Sequence, residues 1–296
     1  MNLPTVSIVT PCYNAARFIR ETIESVSGQR YPHLEHIVID GGSTDGTLDI
    51  LKAYPHLRWV SAPDRGQSHA LNKGFAMARG ELIGWLNADD TYAPGAVSTA
   101  VDYLLQHPEA GMVCSDMWIV GENGKPLRLA RGKPFDLVEL LTENYVRQAT
   151  VFMRRQLLNE VGGVNESLHY CMDRALWLRV GVHHQVAYLP GVISANFRFY
   201  WGSKTSLYTP GFVAEWLGVL TDALDNPLYQ PIPRAEVLKA IEKYQVRHQV
   251  ALMRQAARQK DPRSTWRACA ALLSRHWRYL LRYPYLKTRA LLAAKR

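Results

Sequence analysis

The stretch GELIGWLNADDTY, Gly80 to Tyr92, decides how this chain folds. Its first half is an apolar strand, and its second half runs out into two adjacent carboxylates, Asp89 and Asp90. A buried strand that ends in acid is a usual ligand position in open α/β sheets, because the carboxyl ends of the strands border the crevice. Oxygen-only side chains there suit a hard divalent cation, which keeps waters and shares itself with substrate phosphates. The plainer alternative is that Asp90 or Thr91 caps a helix starting near Pro94. The stretch by itself leaves both open.

Upstream, three further units repeat the strand-then-helix rhythm. VSIVT (residues 6–10) is a short β-branched run, read as a buried parallel strand. PCYN breaks it, and AARFIRETIESVSGQ then puts Phe18, Ile19, Thr22, Ile23 and Val26 on one helical face. HIVID ends at Asp40 and is followed by GGSTDGT, with glycines for the turn and Thr44 or Asp45 to cap the next helix. LRWVSA is a third strand, and DRGQSHALNKGFAMARG is a loop and a helix. Downstream come AVSTAVDYLLQ as helix and GMVCS as a fifth strand. This alternation predicts an α/β fold: a doubly wound, mostly parallel sheet with helices on both faces.

From about Gly121 to Tyr145 the pattern weakens to turns and a short helix, FDLVELL. RRQLLNEVGG and DRALWLRVGVHH read as helices, and VAYLP and VISANFRF as two strands. After roughly Thr205 only helical patterns remain.

Composition narrows the classes. The chain has 296 residues, 47% hydrophobic and 21% charged, so it can bury a sizeable core. The beginning, MNLPTVSIVTPCYN, lacks a basic n-region, and no apolar run approaches bilayer length. Four scattered cysteines without a CxxC pair point to free thiols in a reducing compartment. Neither GxGxxG nor GxxxxGK[ST] follows the first strand, which removes the simplest dinucleotide and P-loop readings. A nucleotidyltransferase would want a glycine- and basic-rich loop where TPCYNAARF stands.

Taken together, VSIVTPCYNAARFIRETIESV, HIVIDGGSTDGTLDIL, DRGQSHALNKG, LIGWLNADD and GGVNESLHYCMDRALWLR resemble a family-2 glycosyltransferase with the GT-A fold. The resemblance is closest to the bacterial branch that builds O-antigen, capsule and other surface polysaccharides. It implies a catalytic domain over residues 1–205, with a nucleotide-sugar-binding half (1–120) and an acceptor-side half (121–205). A basic helical tail, 206–296, follows.

The resemblance also implies roles. Pro11, Tyr13 and Asn14 form the first loop around the nucleotide, and Asp40 accepts from the uracil imide of a UDP-sugar. Arg65 lies near the diphosphate. Asn87, Ala88 and Asp89 occupy the DXD position, with Asp89 on Mg²⁺ or Mn²⁺. Asp173 is the general base of an inverting transfer to a glycan or polyprenyl-diphosphate-linked acceptor. Relatives carry Arg and His where this chain has Arg198 and Tyr200, so Tyr200 departs from the pattern, as does Asn87, where Asp is commoner.

Each site residue also has a plainer reading. Asp40 could hold the GGSTDGT turn, Arg65 could be a solvated surface arginine, and Asp173 could be a helix N-cap. A non-catalytic nucleotide-sugar-binding or scaffolding subunit of a polysaccharide assembly complex is the rival to the enzyme as a whole.

Net charge is +9, and it is concentrated. Residues 247–296 hold 13 Lys or Arg and one acid, against 22 basic and 25 acidic residues before them. In WRACAALLSRHWRYLLRY, Trp266, Ala270, Leu273, Trp277, Leu280 and Leu281 share a face away from Arg267, Arg275, Arg278 and Arg282. That pattern fits a helix lying on an anionic membrane surface, or one packed on its own protein with a solvated basic face. No nucleic-acid recognition motif accompanies it. The expected location is cytoplasmic, peripheral on the inner face of the bacterial inner membrane.

Overall fold

The computed structural model describes residues 3–206, 210–261, 263–271 and 274. Contacts divide the chain into two compact units, Met1–Leu140 with Asn144–Ser206, and Leu141–Glu143 with Leu207–Arg296.

The first unit begins with β1 (Val6–Cys12), α1 (Ile19–Ser27), β2 (Leu34–Asp40), α2 (Thr47–Lys52), β3 (Arg58–Ser61) and α3 (Gln67–Met77). It continues with β4 (Leu82–Trp85), β5 (Thr91–Tyr92), α4 (Ala96–Gln106), β6 (Ala110–Val120), β7 (Pro126–Ala130) and α5 (Leu137–Leu140). A 3-10 turn (Gln148–Thr150), β8 (Phe152–Arg154), α6 (Arg155–Val161), α7 (Met172–His183) and β9 (Gln185–Arg198) complete it. The strands form one sheet in the order β3-β2-β1-β4-β8-β6-β9-β5, with β7 added at β6. The predicted mostly parallel α/β sheet is present: β3, β2, β1 and β4 run parallel, as do β6 and β9. β8, β5 and β7 are antiparallel additions.

Side-chain alternation puts helices on both faces. Ile8 belongs to a core that includes Val97 and Val101 of α4. Cys12 and Val38 pack with Ile19 and Ile23 of α1. Val9 and Ile39 face the other way, onto α3, which approaches so closely at Gly74 that a Cβ there would meet Val9 Cγ1 at 2.3 Å.

Several boundaries differ from expectation. β1 does not stop at Thr10 but runs through Pro11 to Cys12, pairing Pro11 with Ile39. Proline is tolerated because β1 pairs with β4 only from Val6 to Val9, so no ladder bond is lost at Pro11. The two expected strands VAYLP and VISANFRF are one strand, β9, which shifts register between Leu189 and Ile193; Gly191 there has a φ of 77°. β7 occupies part of the stretch read as turns.

In the second unit, α8 (Pro210–Asp222), a short 3-10 turn (Pro227–Tyr229) and α9 (Arg234–Arg258) follow. The Trp216 indole donates to the Leu141 carbonyl (3.0 Å), and Arg247 Nη1 donates to the Thr142 carbonyl (2.8 Å). Among the described residues no helix is long and apolar enough to cross a membrane.

Candidate active site

Three parallel strands deliver the candidate residues to one end of the sheet. β1 ends at Cys12 beside Asp40, the last residue of β2, and β4 ends at Trp85. The loops that follow carry Tyr13–Asn14, Gly41–Thr44 and Asn87–Asp90.

The first two loops lock together. Asn14 takes a left-handed φ of 48°. Its N–H donates to Ser43 Oγ (2.7 Å), and its Oδ1 accepts from the Thr44 N–H (2.9 Å). Asp40 is fully buried and closes its own turn: Oδ2 accepts from the N–H groups of Gly42 (3.0 Å) and Ser43 (2.9 Å) and from the Ser61 hydroxyl (2.7 Å). Oδ1 accepts from the Ser43 hydroxyl. Neither Thr44 nor Asp45 is the N-cap of α2: Gly46, at a φ of 93°, takes that place without a side-chain cap, and Asp45 Oδ1 accepts from the Thr47 N–H (3.1 Å) from one residue further out. Pro11 is buried in β1, whereas Tyr13 is 66% exposed beside these loops. Arg65 is exposed and pairs with Glu166 (2.5 Å), in the loop before α7.

The NADD loop is held from four directions. Asn87 Oδ1 accepts from Gln67 Nε2 and Trp85 Nε1, both at 2.9 Å, and its Nδ2 donates to Gln148 Oε1 (2.9 Å). Its amide is thereby occupied by the protein. Buried Ala88 and its neighbour Asp90 share the Thr22 hydroxyl through their carbonyls (2.9 and 2.8 Å). Asp90 is buried, and its Oδ1 accepts from the Arg198 N–H (2.9 Å). Neither Asp90 nor Thr91 caps a helix: α4 starts at Ala96 behind Gly95, with no side-chain cap.

Asp89 is left as the open acid. Its carbonyl accepts from Arg198 Nε (3.0 Å), and its Oδ2 lies 3.3 Å from the Tyr200 hydroxyl. Burial pushes the Asp89 carboxyl above the ordinary range, against the pull of Tyr200 and Arg198. Burial and then the Asp89 charge push Asp90 well up, and burial followed by Asp89 raises the Tyr200 phenol to about 12. Adjacent, partly desolvated acids of this kind call for a compensating cation. Among the described residues no group of three or more His, Cys, Asp or Glu side chains gathers to cage one. The open carboxylate of Asp89 could serve as the one protein ligand of a hard cation of the kind that keeps waters and shares itself with substrate phosphates.

Asp173 is the second residue of α7, whose N-cap position is Cys171 and carries no side-chain cap. It therefore lies two positions past the cap, which removes the plainer N-cap reading of this residue. Burial raises its carboxyl, while the Arg174 N–H and the Asn144 side chain stabilise the charged form. The start of α3 connects this region to the NADD loop. Gln67 bonds Asn87, and the Ser68 hydroxyl donates to the Leu168 carbonyl (2.6 Å) and touches Met172 Sδ (3.4 Å). Trp85 of β4 packs on Trp177 of α7, with ring centroids 6.3 Å apart.

The sequence did not single out the residues that hold the site: Thr22, Asn144 and Gln148 are polar residues without a motif, and Gln67, inside the DRGQSHALNKG stretch, carried no assigned role. Arg198 carried a signal, a lone charge at the end of the apolar run VISANFRF.

Comparison with known proteins decides the family. Residues 7–162, more than half of the chain, match Glycosyl transferase family 2. The chain belongs to that family. The family match takes in β1 through α6, so Asp89 lies inside it, while Asp173, Arg198 and Tyr200 lie beyond it. Among family relatives, the O-antigen biosynthesis protein RfbC of Myxococcus xanthus is 32% identical over 191 residues, 60% of this chain and 14% of RfbC. The putative teichuronic acid biosynthesis glycosyltransferase TuaG of Bacillus subtilis is 26% identical over 245 residues, 80% of this chain and 92% of TuaG. The chain spans 14% of RfbC and 31% of a glycosyltransferase of Rickettsia felis, so it corresponds to a part of those proteins. The fold is that of S. aureus TarS 1–349 in complex with UDP-GlcNAc, with a TM-score of 0.66 at 18% identity, covering 98% of this chain and 89% of the other. The mannosyltransferase PcManGT from Pyrobaculum calidifontis, in complex with GDP-Man and Mn²⁺, superposes with a TM-score of 0.62 at 22% identity, covering 99% and 85%.

Proposed function

We propose that the protein transfers a sugar from a nucleotide-diphospho-sugar, UDP-linked, to a hydroxyl of a lipid-linked or polysaccharide acceptor, with inversion. The observation that carries this reading is the state of Asp89. It is the one acid of the NADD loop whose carboxylate is not closed off by the protein, at the carboxyl end of a parallel strand. Membership of the family, and the nucleotide-sugars held by TarS and PcManGT, support the substrate class.

Asp89 would hold a Mg²⁺ or Mn²⁺ ion, which supplies charge stabilisation for the departing diphosphate without proton transfer. Tyr13, 66% exposed on its loop, would stack on the base, next to the surface that Asn14 and the Gly41–Thr44 turn build. Pro11 ends the strand beneath this loop. Asp40 would serve the nucleotide mainly through that turn, since a direct bond to the imide requires the Ser43 hydroxyl to release Oδ1. Asn87 and Ala88 would support the donor by fixing the loop's backbone, and Arg65 would turn from Glu166 toward the diphosphate. Asp173 is the proposed base. A carboxyl raised by burial is better matched to accepting a hydroxyl proton near neutral pH than an ordinary one. The protein would work at the cytoplasmic face of the membrane, where lipid-linked acceptors are presented.

Two measurements test the reading. Asp173→Asn should lower kcat by at least about a hundredfold while UDP affinity, by calorimetry, stays within about twofold of wild type; base removal generally costs factors of about 10²–10⁴. Equal loss of both would make Asp173 part of the scaffold. EDTA should stop transfer and Mn²⁺ should restore it. Full activity in EDTA would remove Asp89 from its role, and UDP binding without turnover under every condition would favour a non-catalytic subunit.

A further inference from the structure

Two side chains at the end of β9 converge on one residue of the NADD loop. Arg198 Nε donates to the Asp89 carbonyl (3.0 Å), and the Tyr200 hydroxyl lies 3.3 Å from Asp89 Oδ2. The first contact fixes backbone. The backbone is also fixed on either side, because the Thr22 hydroxyl bonds the Ala88 and Asp90 carbonyls (2.9 and 2.8 Å). None of these bonds fixes the rotation of the Asp89 carboxylate, whose terminal torsion is intrinsically broad. Among the described residues, Tyr200 is the one side chain that meets that carboxylate.

Tyr200 is itself held. Its ring lies against Phe18, with centroids 5.0 Å apart, and the Arg198 guanidinium sits 4.7 Å over the same Phe18 ring. The Tyr200 carbonyl accepts from the Ser203 N–H (3.2 Å) and the Ser203 hydroxyl (2.8 Å), and Ser203 is buried. The phenol is therefore a fixed reference point, and the carboxylate is the partner that turns.

The direction of the contact follows from its chemistry. An ionised carboxylate only accepts, so the phenol is the donor. Donation to Oδ2 leaves Oδ1 without a side-chain donor among the described residues. At 3.3 Å the contact is longer than the usual O–H···O bond of about 2.7–2.8 Å, so it aims the carboxylate without closing it off. Carboxylates that ligate a metal are oriented by hydrogen bonds of this kind, and loss of the outer partner typically costs about 10–100-fold in metal affinity.

We propose that Tyr200 is a positioning residue for a divalent cation: its hydroxyl holds Asp89 Oδ2 and presents Oδ1 to the ion. This rests on the reading of Asp89 as the protein ligand of the cation, but its test needs no turnover. Mn²⁺ is titrated into the full chain with saturating UDP, and free Mn²⁺ is read from its EPR signal. Wild type is compared with Tyr200→Phe, Asp89→Asn and the double variant. Phenylalanine keeps the ring that packs on Phe18 and removes only the oxygen. The expected result is a Mn²⁺ affinity weakened about tenfold or more in Tyr200→Phe, with an unchanged urea midpoint and unchanged UDP affinity in metal-free buffer. Asp89→Asn should weaken Mn²⁺ binding further. Adding Tyr200→Phe to it should cost nothing more, because the hydroxyl acts through Asp89. Wild-type Mn²⁺ affinity in Tyr200→Phe, a fall in urea midpoint alongside the lost affinity, or full additivity in the double variant would each overturn the proposal. Mn²⁺ binding by Asp89→Asn at the wild-type level would overturn the Asp89 reading together with it. A chain that shows the expected pattern yet transfers no sugar would overturn the transferase reading alone.

Discussion

Arg198 holds the candidate site with a single side chain. It is buried, stacks 4.7 Å over the Phe18 ring, and donates to Asp89, to Glu122 and to Glu21, while its N–H reaches Asp90. Each donor group is engaged by the protein, so it braces the NADD loop and has no fork left for a phosphate. His36 is buried in the same way but with the opposite electrostatics. Its Nε2 lies 2.9 Å from Thr10 Oγ1 and its Nδ1 has no partner. Burial, with a smaller push from His56, drives it down to about 3. The folded chain therefore refuses a proton that the unfolded chain takes up near the ordinary histidine value of about 6.5. Stability is fully present above that pH and is lost as pH falls toward 3, by up to about 1.4 kcal/mol per pH unit from this group. Urea midpoints at descending pH should show that loss in wild type and a flatter profile in His36→Gln. Identical profiles would mean that His36 charges without penalty.

Among the elements, α3 connects fold and site. Its N-terminus carries Gln67 and Ser68, and its middle lies on β1 and β2. Contact is this close because the inward positions are small: Ser68, Ala70 and Gly74 are buried with Leu71. Alanine usually stabilises a helix by about 1 kcal/mol over glycine. At Gly74 the added Cβ would sit 2.3 Å from Val9 and 3.3 Å from Ile39, both on strands that cannot withdraw. Gly74→Ala should therefore destabilise by about 1–3 kcal/mol, read from thermal or urea unfolding. A gain in stability would mean that the helix can lift from the sheet. The antiparallel additions were harder to see in the sequence. β7 is largely exposed and lacks the apolar signature of a core strand. β9 carries Pro190 and Gly191 in its middle and so reads as two strands. β8 is three residues long and merges with the helix that follows.

At the scale of the molecule, the basic end of the chain is the proposed membrane-binding segment. The expected amphipathic face is described only in part. Ala268 is buried and Cys269 Sγ lies 3.1 Å from Met253 Sδ of α9, whereas Trp266 is 74% exposed. Leu273, Arg275, Trp277, Arg278, Leu280, Leu281 and Arg282 lie outside the described residues. Deleting the residues after Asp261 should abolish co-sedimentation with anionic liposomes and leave the weak binding to neutral ones unchanged. Binding to anionic liposomes that survives the deletion would make the tail an internal packing element.

The order of strands and helices, and the three carboxyl ends that border the site, were legible because burial on both faces writes apolar runs into the sequence. Acids at the ends of buried strands marked Asp40 and Asp89, and the family resemblance marked Asn87. Which acid stays open was decided by the tertiary structure. Asp40 is closed by Ser43 and Ser61, and Asp90 by Arg198, which lies 108 residues away along the chain. Of these three acids, Asp89 is the one whose carboxylate meets just one side chain among the described residues, the Tyr200 hydroxyl at 3.3 Å. Hydrogen bonds between residues so distant in sequence leave no periodicity to read. They exist only once the sheet has brought β9 beside β5 and fixed Arg198 over the NADD loop.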